Sequence, residues 1–123
     1  MALEIYDYQG EGYRSVMSYG AWRVAFLNPA DHLREVQKLE RHMESDEVFL
    51  LLRGDAILFI GEEMQQVRME KHKVYNVTAG TWHAICVSLD ARVFIVENAD
   101  VSQSNSEYIH FTTPPCICTF SNE

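Results

Sequence analysis

What this sequence has little of excludes several kinds of protein. Basic residues are scarce: 10 Lys and Arg stand against 18 Asp and Glu, a formal net charge of −8. A surface of that sign repels phosphate backbones and anionic lipid headgroups, so neither nucleic acid nor a membrane surface is an expected partner. No apolar run approaches the roughly 20 residues that a spanning helix requires. Met1 to Asp7 carry neither the basic region nor the apolar stretch of a secretory signal, and a cytoplasmic protein is expected. Cysteine is limited to Cys86, Cys116 and Cys118. An odd number agrees with reduced thiols and argues against a disulfide framework. Cys86 lies in an apolar segment and reads as a small core residue. The Cys116-x-Cys118 pair has no second pair or nearby histidine with which to hold zinc.

What is present is a chain of 123 residues, 47% of them hydrophobic, enough for one packed core. Its dominant period is two, the repeat of strands rather than helices. Trp22, Val24 and Phe26 alternate with Arg23, Ala25 and Leu27, giving a strand whose first set forms a clearly apolar face. Asn28-Pro29 stops it, and Pro29 to Leu33 suits one helical turn. Further strands are expected at 38–43, 47–52, 56–60, 66–69, 74–77, 83–87, 91–97 and 108–111. Arg53-Gly54-Asp55 and Leu89-Asp90 read as hairpin turns between their neighbouring strands. Many short strands and almost no helix predict an all-β barrel or sandwich. One domain is expected over residues 1–113, with its core at about 20–98 and a loose, proline-interrupted end at 114–123.

Two segments carry the chemistry. In the first, His42 is followed after four residues by Glu47 and after six more by Gly54, with Glu40 two residues before His42. In the second, Thr78, Gly80 and His83 follow the pattern x-x-Gly-x-x-His. Together these resemble the two motifs of the cupin superfamily, His-x-His with a following Glu and Gly, and Pro-x-Gly-x-x-His. Glu40 stands in place of the first histidine and Thr78 in place of the proline. The resemblance spans about Trp22 to Glu97. It implies an antiparallel double-stranded β-helix, the jelly-roll barrel of cupins, and a homodimer. The Tyr-rich segment through Tyr19 would suit augmentation of a neighbour's sheet.

A site also follows from the residues themselves. Residues two apart in a strand share a face, so Glu40 and His42 both point inward if either does. Buried charged groups in a small barrel are costly unless paired or bound to metal. His42, Glu47 and His83, with Glu40 as a fourth ligand, form a mixed nitrogen and oxygen set that suits a divalent Fe, Mn, Ni or Zn ion. Each residue also has a plainer reading. His42 alone is an ordinary strand histidine, and Glu47 alone could pair with Arg41 or Arg53. Glu40 is equally a ligand, an acceptor that orients His42, a salt-bridge partner or a proton-transfer group. Trp82, Phe49 and Tyr75 are candidates for the pocket wall. His32 and His72 read as solvent-facing, His110 lies on the final strand where it could reach a barrel mouth though its spacing does not demand it, and Glu44 and Asp46 read as solubilising turn residues. Three functions fit: a metal-dependent enzyme acting on a small polar metabolite such as a sugar, ureide or hydroxy/keto acid; a non-catalytic binder of such a molecule; or a metal-free cupin whose polar residues satisfy one another.

Overall fold

The computed structural model describes residues 2–121 and 123. Ten strands follow in chain order: β1 Gly12–Tyr19, β2 Trp22–Asn28, β3 Lys38–His42, β4 Glu47–Arg53, β5 Ala56–Ile60, β6 Gln65–Arg68, β7 Val74–Val77, β8 His83–Val87, β9 Arg92–Asn98 and β10 Ser106–His110. They form two antiparallel five-stranded sheets, ordered β1-β2-β9-β4-β7 (sheet I) and β10-β3-β8-β5-β6 (sheet II). This is the expected jelly-roll barrel. The helical turn is a short 3₁₀ segment at Asp31–Leu33.

The two supposed hairpins are corrected by the pairing. β4 lies in sheet I and β5 in sheet II, and β8 and β9 are divided in the same way. The connections at Gly54 and at Leu89-Asp90 are therefore corners that carry the chain from one sheet to the other. They lock together: the Ser88 amide donates to the Asp55 carbonyl at 2.9 Å, and the Asp55 amide donates to Ser88 Oγ at 2.9 Å. Gly54 has φ +74°, and a Cβ there would lie 2.6 Å from Ala91 Cα, so only glycine fits.

β1 was not expected because its alternation is interrupted. A bulge between Ser15 and Met17 shifts the register against β2, and a shift of one residue exchanges the faces. In β2 the inner face is also the reverse of the one its composition suggests. Ala25 and Leu27 are buried in the core, while Trp22 remains 43% exposed and Phe26 packs edge-on against Phe94 on the outside. Alternation places Arg23 on this inner face with Ala25 and Leu27, its Nη2 3.5 Å from buried Glu97.

Sheet II is covered on both faces. Ala56, Leu58 and Val87 join the core between the sheets, whereas Leu39, Ile57, Phe59 and Cys86 form a second cluster with Val36, Cys118 and Phe120. That double burial accounts for the unbroken apolar run of β5. The end of the chain is therefore not loose. Val36 donates to Cys116 O and Cys118 donates to Arg34 O, each at 2.9 Å, and Phe120 is buried. Cys86 and Cys118 are joined as a disulfide with their Cα atoms 6.3 Å apart, leaving Cys116 as the free thiol. Cys86 is a buried core residue, as expected, but the reading of the three cysteines as reduced thiols is corrected: the position of Cys86 on β8 faces the returning chain and Cys118. Among the described residues no helix is long and apolar enough to cross a membrane.

Candidate metal centre

Both motifs bring their residues to the same end of the barrel. His42 closes β3, Glu47 opens β4 and His83 opens β8. The turns that hold them are tied together. The Gly80 amide donates to the His42 carbonyl at 2.8 Å, so the second motif's turn is fastened to the end of the first motif's strand. Asp46 accepts from the Ala79 amide at 2.9 Å and from the Asn76 side chain at 3.0 Å, and these bonds hold its carboxyl below its usual range. Asp46 thus positions the turn before His83, a role its place in the acidic Glu44-Ser45-Asp46-Glu47 run did not suggest.

Glu47 is the hub. Its Oε1 lies 3.0 Å from His42 Nε2 and 3.1 Å from His83 Nε2, and all three residues are buried. The two imidazole rings meet edge to face, 5.4 Å between centroids. The ring Nδ1 atoms are engaged elsewhere: His42 with Ser106 Oγ at 2.8 Å and His83 with the Thr81 carbonyl at 3.0 Å. Glu40 approaches from the neighbouring strand, paired in register with His83, and its Oε1 is 3.9 Å from His83 Nε2. Burial pushes the Glu47 carboxyl up, but the bonds from His42 and His83 outweigh it and hold the group at about 2. The bond to Glu47 raises His42. In His83 burial pulls the imidazole down, and the Glu47 bond and charge overcome this to leave it raised.

The donor chemistry fits a metal ion. A carbonyl only accepts, so His83 Nδ1 carries the hydrogen that it gives to Thr81 O. In the neutral ring Nε2 is then a lone pair aimed at a carboxylate oxygen 3.1 Å away. That contact is attractive only with a positive charge on it, either a proton on the ring or a cation between the two. Two overlapping groups offer one ligand atom each, mutually within 4.8 Å: Glu40, His42 and His83; and His42, Glu47 and Glu97.

Glu97 is the residue sequence reasoning missed. It lies on β9 directly opposite Glu47 on β4 and is buried. Its Oε1 accepts from the Tyr13 hydroxyl at 2.6 Å, and its Oε2 is 3.5 Å from Arg23 Nη2. Burial, reinforced by the nearby Glu47 charge, raises its carboxyl; burial and the Glu97 bond likewise push the Tyr13 phenol up. The available signal was its place near the end of an apolar strand, which by itself reads as a strand terminus.

The proposed wall residues divide. Phe49 is buried with its ring 6.0 Å from that of His83. Tyr75 lines a cavity of about 260 Å³ between β6 and β7, the unpaired edges of the two sheets, with Leu58, Ile60, Val67, Val77 and Thr81. Trp82 lines no part of it. Being next to the inward-facing His83, it falls on the opposite face of the strand, where it packs in the Leu39 and Phe59 cluster with the Arg41 guanidinium 4.4 Å from its ring centroid. His32, His72 and His110 are exposed.

No protein-family model matches this chain, and no curated protein sequence matches it. Solved structures do. A variant of Streptomyces Pac13 bound to uridine superposes with a TM-score of 0.68 at 9% identity, over 94% of this chain and 100% of that one. Pac13 is described as a nucleoside dehydratase. An RmlC-like cupin of Methanocaldococcus jannaschii, a double-stranded β-helix, matches with a TM-score of 0.62 at 12% identity over 80% of this chain and 92% of that one. A cupin superfamily protein of Desulfitobacterium hafniense gives 0.54 at 18% identity over 78% and 82%. The chain therefore has the cupin fold, with a His and Glu cluster inside the barrel.

Proposed function

We propose that this protein is a metal-dependent cupin acting on a small polar metabolite, with a divalent transition metal held by His42, Glu47 and His83. The observation that carries this reading is the Glu47 carboxylate facing both Nε2 atoms while His83 Nδ1 is committed to a backbone carbonyl. Such a metal, when bound, supplies Lewis acidity toward a substrate oxygen or water. The other tasks fall to side chains. Glu47 sets the spacing of the two imidazoles, and the Thr81 carbonyl fixes the tautomer of His83. Glu40, with its side chain 34% exposed, is the group with both access to solvent and reach to the site. It takes or returns a proton of the substrate. A cavity of about 100 Å³ lined by Glu40 and His83, with Val36, Lys38 and Ile85, gives a small polar molecule access to these two groups. Sugars and nucleosides are the first class to try, since the fold is shared with a uridine-binding nucleoside dehydratase.

The test is metal analysis of protein purified without chelator, followed by a metabolite screen scored for product. One equivalent of transition metal is expected, lost in the His42→Ala/His83→Ala double variant. Glu40→Gln is expected to keep the metal and lose turnover. Protein with no metal, and no affinity for added metal, would favour the metal-free reading, in which protons on the imidazoles satisfy Glu47. Binding without product would make it a sensor or carrier. We further propose a homodimer, supported by the apolar outer face of sheet I and by the exposed Leu3, Ile5 and Tyr6 of the amino-terminal segment. A monomeric mass in solution removes that part.

A further inference from the structure

Glu40 approaches both His42 and His83 and Glu97 approaches His42, and the two carboxylates differ in what already satisfies them. Glu40 is partly open to solvent, so its charge needs no partner inside the protein. Glu97 is 5% exposed and has no such outlet. It stands directly across the β4–β9 ladder from Glu47, itself 6% exposed. Two carboxylates opposed on one buried face repel each other unless a cation lies between them. The permanent cation beside Glu97 is Arg23, which reaches the carboxylate only by a 3.5 Å contact: its Nη1 and Nη2 donate to the carbonyls of Ala99 and Val101, each at 3.2 Å, and its buried Nε has no hydrogen-bond partner. A carboxylate offers about four lone-pair positions. One short bond from Tyr13 and one long contact from Arg23 leave Glu97 with unused accepting capacity. That capacity lies where His42 and Glu47 also present ligand atoms, all within 4.8 Å.

From this we infer that Glu97, and not Glu40, completes the metal site, as a carboxylate ligand on sheet I held in orientation by the Tyr13 hydroxyl. The inference rests on the metal-binding reading above and adds to it a ligand outside both sequence motifs. The set becomes two imidazoles from sheet II and two carboxylates from sheet I, so that the ion closes the barrel across its two sheets. Glu40 is left free for proton transfer, and the mixed set selects a borderline ion over a soft one. Tyr13 is a positioning residue. Its hydroxyl bonds the ligand Glu97, and it comes from β1, outside the span that resembles cupin motifs.

The decisive experiment titrates Co²⁺ alone into metal-stripped protein, following heat and the visible spectrum of the bound ion. Removal of an outer-shell partner typically costs about 10–100-fold in affinity, so Glu97→Gln is expected to lose at least that much and to alter the spectrum. Tyr13→Phe is expected to lose about 10-fold with a smaller spectral change. Glu40→Gln is expected to leave both unchanged. Should Glu97→Gln fail to fold, Glu97→Asp carries the test, since it keeps the charge and withdraws the oxygen by one methylene. Co²⁺ binding that is abolished by His42→Ala/His83→Ala but untouched in the Glu97 variants overturns this inference and spares the metal centre. Loss of binding in Glu40→Gln alone overturns it in the same way. Wild-type protein that takes up no Co²⁺ overturns both.

Discussion

The two sheets of the barrel solve the same problem in different ways. Sheet II buries its outer face within the chain: residues 114–120 return over it, Phe120 and Cys118 fill the cluster around Leu39 and Phe59, and a disulfide fastens Cys118 to β8. Among the described residues sheet I has no such cover. Phe26 and Phe94 pack against each other on its outside, Trp22 and Tyr19 stay exposed, and Val74 on the edge strand is 69% exposed. Equal strand numbers and antiparallel order therefore leave unequal surfaces. A sheet needs two covers, and among the described residues only sheet II obtains its second from its own chain.

The sharpest way to break this comparison is to remove the cover of sheet II. Deleting residues 114–123 takes away buried Phe120 and Cys118; loss of a buried Phe side chain alone costs about 3–5 kcal/mol, comparable with the whole stability of a small domain. The truncated chain is expected to melt far below the full chain or to aggregate, read by circular dichroism; equal melting would mean that the sheet needs no cover. Reducing the disulfide is milder, because the apolar packing stays. Closing a loop with a sequence separation of 32 is expected to contribute about 2–4 kcal/mol, measurable as the shift in denaturation midpoint with a phosphine reductant. No shift would show that packing alone holds the segment.

The third prediction concerns the polar end, where Glu47 of sheet I holds His42 and His83 of sheet II. The histidines are raised, so their contribution is fully present below their unfolded value of 6.5 and is lost as pH rises through their folded values. Glu47 is lowered from 4.5 to about 2, so its contribution is present above 4.5 and is lost as pH falls toward 2. Metal-stripped protein is expected to gain most from this tie between about pH 4.5 and 6.5, and bound metal to keep the tie above that window. A stripped protein whose melting rises steadily from pH 6 to 8 would contradict the assignment. The smallest effect on the fold is expected at sheet I. Trp22→Glu or Val74→Lys should dissociate a dimer in light scattering while changing monomer stability by no more than about 0.5 kcal/mol. An unchanged mass would place the contact elsewhere.

Much of the barrel was legible because strands advertise themselves by period two, and nine of the ten were expected near their observed bounds. β1 was hidden by its bulge. The corners at Gly54 and Ser88 were mistaken for hairpin turns because local residues specify a reversal of the chain without specifying which strand lies alongside. Glu40, His42, Glu47 and His83 were legible through spacing. Glu97 and Asp46 were not, since the first is placed by cross-strand register and the second by a hydrogen bond to a turn some 30 residues away. Trp82 and the inner face of β2 were misjudged for a shared reason. Large aromatics look like interior residues, yet alternation turns their neighbours inward instead: His83 beside Trp82, and Ala25 and Leu27 beside Phe26.

The disulfide has a mechanical meaning as well. It turns residues 86–118 into a covalent ring that contains β9 and β10, and β9 is the strand between β2 and β4 in sheet I. A tension applied to the two ends of the oxidised chain passes across the Cys86–Cys118 bond and not through the ring. The fully stretched molecule would then be shorter by about 110 Å, at roughly 3.5 Å per residue, than its reduced counterpart. A central strand of one sheet is thereby shielded from force by a clasp on the back of the other.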